Sequence, residues 1–223
     1  MESRLLINLW SVTVIVVVLT AILVAPGETL VAAVVAIALN RVGGPRWRVN
    51  MGLMERITTR EFATVLLLSV MLFFLTKLIL QPLCDLITDH TRDLHSFDRI
   101  RGHPAAAVKL ILVAIVLAGL CEEIIFRGTV LQRLRSILGP GRAAVIASVV
   151  LSAAIFAAFH WYQGPSGMLL TLVLGAIDGA IYVGFGSRLL VTVIVHAVYD
   201  TMALTAIATN YDLVLSRWGS AVL

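Results

Sequence analysis

Residues 104–138 read PAAAVKLILVAIVLAGLCEEIIFRGTVLQRLRSIL. After Lys109 the run is uncharged until Glu122 and Glu123 stand together in its middle, and Arg127 follows one turn later. The apolar stretch is long enough to cross a bilayer core of ~30 Å as a helix, at 1.5 Å per residue. A charged side chain at the centre of a membrane helix costs at least ~2.5–3.5 kcal/mol, so these carboxylates read as a functional-site hypothesis.

Two other apolar segments carry intrusions of the same kind. Residues 156–160 read FAAFH and residues 196–200 read HAVYD. Phe156 with His160, His196 with Asp200, and Glu123 with Arg127 are all spaced i,i+4, so each pair shares one helix face. Glu122 is turned about 100° from Glu123. The two carboxylates cannot share one partner equally, and the economical assignment lets Arg127 neutralise Glu123 while Glu122 faces a site. Taken singly, Glu123–Arg127 reads as a structural ion pair and His196–Asp200 as a hydrogen-bonded pair within one helix. His160, beside Trp161 and Tyr162, reads as an aromatic-belt residue at a helix end. Three matched intrusions in three segments read instead as one assembled site. Asp178 is a further buried carboxylate with no evident partner, expected behind the site or lining its cavity. Gly175, Gly179 and Ala180 around it suit close helix packing.

Over 223 residues, 60% are hydrophobic and 13% charged, with a mean hydropathy of +0.99. Soluble domains carry about 25% charged residues, so this is the composition of a polytopic membrane protein. Alternating ten-residue strands, the mark of a membrane β-barrel, are absent. The net charge of +4 is spread over loops, without the basic, aromatic-interleaved stripe that binds nucleic acid. Cys84 and Cys121 make no disulfide framework, and Cys121 reads as a small buried hydrophobe. Neither Cys121 nor Ser152 has a G-x-S-x-G-like setting for nucleophilic catalysis.

The pattern predicts an all-α transmembrane bundle of about seven helices, at 5–25, 28–42, 60–81, 104–138, 141–163, 167–186 and 189–209. Asn40 and Arg41 interrupt the second. Residues 82–103 are polar and mixed in charge and read as a loop or surface helix. The first apolar run exceeds a signal-peptide core and shows no small-residue cleavage site before Pro26, so it reads as an uncleaved span. The chain divides into N-terminal helices with a polar loop (1–103), a core carrying the motifs (104–209) and a C-terminal tail (210–223). The basic 41–60 and 128–142 loops are expected in the cytoplasm, with the N-terminus inside and the C-terminus outside.

Gly139-Pro140-Gly141 is a strong turn, so the helices around it run antiparallel. Glu122 and His160 both stand on the order of 27–29 Å from that turn, which brings them to one level. His196 enters from a later helix. A common site then requires the 128–142 hairpin to project beyond the cytoplasmic face, for which the arginine-bearing 127–138 stretch is suited. Chemically, a desolvated carboxylate can act as general base on water, and a histidine can orient that water or stabilise an oxyanion. Two histidines and a glutamate also suit zinc, although no H-E-x-x-H helix is present.

The motifs E-E-x-x-x-R, F-x-x-x-H and H-x-x-x-N/D, in this order on successive membrane helices, resemble the CPBP family (CAAX protease and bacteriocin-processing, also called Abi) of intramembrane endopeptidases. The resemblance covers about residues 104–205. It implies that Glu122 and His160 activate a water and that His196 and Asp200 stabilise the tetrahedral intermediate, with Glu123, Arg127 and Phe156 in support. Eukaryotic CAAX-processing members typically carry Asn where Asp200 stands. An amide can donate to an oxyanion, whereas an ionised carboxylate only accepts.

The expectation is a glutamate-type intramembrane endopeptidase, multi-pass in the bacterial plasma membrane. It would hydrolyse a peptide bond of a membrane-associated substrate: a lipidated C-terminus, a leader peptide or a membrane segment. No cofactor is expected; were zinc bound, Glu122, His160 and His196 would be its ligands. Partners are the substrate and the lipid bilayer, not nucleic acid. The alternative is a non-catalytic membrane protein, such as a bacteriocin-immunity or assembly factor. A proton-coupled transporter ranks third, without inverted repeats or broken helices to support it.

Overall fold

Every long apolar run forms a helix. The computed structural model describes residues 2–24, 28–53 and 56–222. Its long elements are α1 (Glu2–Val24), α2 (Glu28–Val42), α3 (Thr59–Thr88), α4 (Pro104–Leu138), α5 (Arg142–Ala158), α6 (Gly164–Gly184), α7 (Leu189–Ala208) and α8 (Tyr211–Val222). No strand occurs among the described residues. The all-α membrane bundle expected from composition is the fold that forms. Among the described residues five helices, α1, α3, α4, α6 and α7, are long and apolar enough by themselves to cross a bilayer, against the seven expected. By contrast, α2 has 15 residues and α5 has 17, which reach about 22 and 25 Å against a core of ~30 Å. Residues 25–27, next to which the uncleaved first span was expected to end, lie outside the described residues.

The segment from Pro82 onward, expected as a loop or surface helix, is part of each. Helix α3 continues to Thr88 and stops where Asp89 adopts a left-handed conformation, with φ 54°. Pro82 cannot donate to the Leu78 carbonyl, and the helix absorbs this by widening into a π-turn at Thr76–Leu80. A single 3₁₀ segment, His95–Ile100, then leads to α4. At the C-terminus, residues 211–222 form α8, which packs back onto that π-turn. Gly219 is required there, because a Cβ would stand 2.9 Å from the Lys77 carbonyl and 3.1 Å from that of Leu78.

Caps and end-to-end contacts fix the bundle. Thr58 and Glu61 form a reciprocal capping box at the start of α3, and Glu61 also pairs with Arg188 just before α7. Leu189 donates its backbone N–H to Gly52 at 3.0 Å on the same end. At the other end Asp93 donates to Gln163 at 3.0 Å, and Gly102 to Ala208 at 2.9 Å. Asn40, expected to interrupt α2, is buried. It donates to Thr129 at 3.0 Å and accepts from Arg133 at 2.6 Å, tying α2 to the lower half of α4.

Helix α7 is the centre of the bundle, packed on α3, α4 and α6. Its crossing with α4 is close because Gly119 faces Ala197: a Cβ at 119 would lie 2.9 Å from the Ala197 Cβ. That crossing falls one turn before the Glu122–Glu123 pair and at the residue after His196.

Candidate active site

Helix α4 is not a regular α-helix around its glutamates. It widens into a π-turn at Ile115–Glu122, which ends on the first glutamate, and into another at Phe126–Leu131. Such turns re-aim side chains and are frequent at functional sites. Glu123 points into the protein and is fully buried, while Glu122 lines a cavity of about 240 Å³. His160, His196, Asp200 and Asp178 line the same cavity.

One oxygen of the buried glutamate takes two donors. Oε1 of Glu123 accepts from Nη1 of Arg127 at 2.7 Å and from Nδ1 of His196 at 2.8 Å. Arg127 is 2% exposed. Its Nη2 donates to the Gly175 carbonyl at 3.3 Å and pairs with Asp178 Oδ2 at 3.5 Å. The guanidinium also lies over the Phe156 ring, 4.9 Å from its centroid. One cation thereby joins α4 to α6 and packs on α5. Buried charges persist only when paired and hydrogen-bonded in this way.

Phe156 has a second role. Its ring meets those of Phe126, His160 and His196 edge-on, with centroids 4.9, 4.6 and 6.3 Å away. Its backbone carbonyl takes Nδ1 of His160 at 2.9 Å. A carbonyl can only accept, so Nδ1 carries the hydrogen and the Nε2 lone pair of a neutral His160 is left free. Helix α5 ends at Ala158, and the chain turns through Trp161–Gln163 into α6, which places His160 on the inner side of that corner.

The third motif divides in a way its spacing did not disclose. Nε2 of His196 stands 3.6 Å from Asp200 Oδ2 and 4.0 Å from Glu122 Oε2, distances too long for hydrogen bonds. The ring is oriented by Glu123 through Nδ1, not by Asp200. Asp200 faces the cavity as an acceptor.

All seven residues singled out from the sequence thus meet around one cavity, with Glu122, His160, His196 and Asp200 lining it and Glu123 and Arg127 buried behind. Sequence reasoning missed that Arg127 is the partner of Asp178, a contact between helices that no spacing reveals. It also missed Lys77 and Arg92, which line the cavity. Lys77 carried a readable signal, since it lies inside the apolar run of α3.

Among the described residues, the ligand atoms that converge within 4.8 Å belong to Glu123, Asp178 and His196. Arg127 already contacts both carboxylates, so a divalent cation there would face a guanidinium at contact distance. Glu122, His160 and His196 do not gather their ligand atoms within that limit.

Residues 104–202 match the Rce1-like family model, described as type II CAAX prenyl endopeptidase Rce1-like. No curated protein and no solved structure matches the chain.

Proposed function

We propose, from the match of residues 104–202 to the Rce1-like CAAX prenyl endopeptidase family model, that this protein is an intramembrane protease that hydrolyses its substrate with a water activated by Glu122. The observation that carries this reading is the split fate of the adjacent glutamates. Glu123 is consumed by Arg127 and His196, whereas Glu122 faces the cavity with no hydrogen bond to another side chain among the described residues.

Glu122 takes a proton from the water as its oxygen bonds to the scissile carbonyl carbon. The Nε2 lone pair of His160 helps hold that water. His196, held by Glu123 through Nδ1, presents Nε2 to the oxyanion and donates to it in its protonated form. Asp200, which only accepts, balances that ring. The carbon–nitrogen bond then breaks, Glu122 returns its proton to the leaving amine, and one carboxylic acid and one amine result. Burial of the site between membrane helices supports a membrane-associated substrate, and the family description supports a prenylated one.

The test is cleavage of a membrane-anchored peptide library by wild-type and Glu122→Gln protein, with and without a chelator. Cleavage lost in Glu122→Gln and indifferent to the chelator is expected. Cleavage that survives Glu122→Gln, or that the chelator abolishes, would overturn the assignment of the water to Glu122.

A further inference from the structure

Where α2, α4 and α6 end and α7 begins, the bundle holds a cavity of about 600 Å³ that the chemistry above does not use. Asn40, Asn50, Arg133, Arg135, Ser136 and Ser187 are among the residues that line it, and none of its lining residues is an aspartate or a glutamate. Arg133 and Arg135 stand about 200° apart around α4, and each is tied to a different wall. Arg133 donates from Nη2 to Asn40 of α2 at 2.6 Å. Arg135 donates from Nη1 to Ser187 of the α6–α7 turn at 2.8 Å, and to Gln132 at 3.5 Å. A guanidinium carries five N–H donors, so both arginines keep donors to spare. No carboxylate of the described residues lies within ion-pair distance of either. The inner side of Arg133 supplies no anion. A Cβ at Gly43 would stand 3.3 Å from its Nη2 and 3.0 Å from Nε1 of Trp10, a buried donor that itself has no acceptor among the described residues.

The depth of the cavity selects the source of its anion. Arg133 and Arg135 lie in the last two turns of a candidate span, Pro104–Leu138, which sets them at the boundary between membrane and water. Val49 lines the cavity and is exposed, and Val42 and Leu138 end α2 and α4 as exposed apolar residues. Planar guanidinium forks match the paired oxygens of a phosphate. Basic pockets between membrane helices suit lipid headgroups that carry one, and the apolar helix ends offer surface to the acyl chains.

We propose that this cavity binds the phosphodiester headgroup of an anionic phospholipid, of which phosphatidylglycerol is the type. Arg133 and Arg135 hold the phosphate from two sides with charge-assisted hydrogen bonds, while Asn50 and Ser136 offer polar partners to the headgroup hydroxyls. The bound lipid joins α2, the last turns of α4 and the α6–α7 turn. The site needs neither Glu122 nor the histidines, so it stands apart from the protease reading.

The test is the thermal midpoint of the full chain in phosphatidylcholine nanodiscs, with and without a minor share of phosphatidylglycerol. Phosphatidylglycerol is expected to raise the midpoint by at least about 3 °C. Arg133→Gln with Arg135→Gln should abolish that rise, read against the variant's own midpoint in phosphatidylcholine. Ser136→Glu should abolish it as well, and it decides the matter if the double variant does not fold. Ser136 is exposed and its side chain makes no hydrogen bond among the described residues, so the change adds a carboxylate to the cavity without removing a contact. Arg41→Gln with Arg142→Gln removes two exposed arginines that do not line the cavity and should leave the rise intact. No rise in the wild type, or a rise that survives Ser136→Glu or the Arg133 and Arg135 changes, overturns the proposal. Equal loss in the Arg41 and Arg142 variant overturns it too, because the effect would then belong to diffuse surface charge. So does an equal rise given by inorganic phosphate in pure phosphatidylcholine, which would assign the cavity to a soluble anion.

Discussion

Nδ1 of His196 lies 2.8 Å from Oε1 of Glu123, across 73 residues of chain. The same oxygen holds Arg127 at 2.7 Å, so one buried carboxylate orients both the histidine of α7 and the cation of α4. Glu123 is thereby a positioning residue, and its neighbour Glu122 is left to face the cavity.

The two glutamates should separate in their variants. Glu122→Gln is expected to leave the thermal midpoint in detergent within a few degrees of wild type while lowering kcat by about 10²–10⁴-fold, the usual worth of a general base. Glu123→Gln leaves buried cations short of a counter-charge and should destabilise the fold by about 3–5 kcal/mol. Parallel thermal scans and rate measurements check this. A stable, fully active Glu123→Gln protein is incompatible with its role as pivot.

In the proposed mechanism His160 and His196 serve one water and one oxyanion, so their losses should not add. Each single alanine variant is expected to be severely impaired, and the double variant scarcely worse than either. The measurement is kcat/KM for the three proteins on one membrane-anchored peptide. Mild defects in both single variants would sink the shared-site arrangement.

Arg127 faces both Glu123 and Asp178. Arg127→Met leaves two buried carboxylates without their cation, and a loss of about 3–5 kcal/mol is expected in detergent unfolding. Because Asp178 shares that cation, Arg127→Met with Asp178→Asn should be less damaging than the sum of the single changes. Simple additivity would mean that the 3.5 Å contact carries no coupling.

Gly119 sets the approach of α4 to α7. A Cβ there meets the Ala197 Cβ at 2.9 Å, so Gly119→Val must push the two helices apart. Overpacking of this kind costs about 1–3 kcal/mol. It should also lower activity beyond the stability loss, because the same crossing brings His196 to Glu123. Gly119→Val paired with Ala197→Gly should recover part of both, measured by thermal midpoint and rate.

Outside the spans, His95 contacts Asp98 at 3.0 Å, with Asp93 close by and Arg101 also on Asp98. The Asp98 hydrogen bond raises the His95 pKa above its ordinary value, and the same bond holds the Asp98 carboxyl below its own. The contact therefore favours the folded state fully between about pH 4 and 6.5. It fades as pH falls through the lowered Asp98 value and as pH rises through the raised His95 value. The His95 ring should titrate above its ordinary midpoint by NMR, and Asp98→Asn should return it towards that midpoint.

Much of this arrangement was legible beforehand because membranes make polarity conspicuous. Charges inside apolar runs marked Glu122, Glu123, Arg127, His160, His196 and Asp200, and i,i+4 spacing marked their shared faces. Equal distances from the Gly139–Gly141 turn brought Glu122 level with His160. The same rule applied to Lys77 would have found it.

The sequence by itself determined the helical bundle, the position of its long elements and the division between Glu122 and Glu123. Apolar run length and the cost of an unpaired charge in lipid are local properties, read from one segment at a time. Only the tertiary structure decided that Glu123, rather than Asp200, holds His196, that Asp178 answers Arg127, and that Arg92, Leu94 and Phe97 line the cavity. Those outcomes depend on which helices cross and how closely, as at Gly119 and Ala197, and on π-turns that rotate side chains away from a regular 3.6-residue face. Neither quantity is written in any single helix.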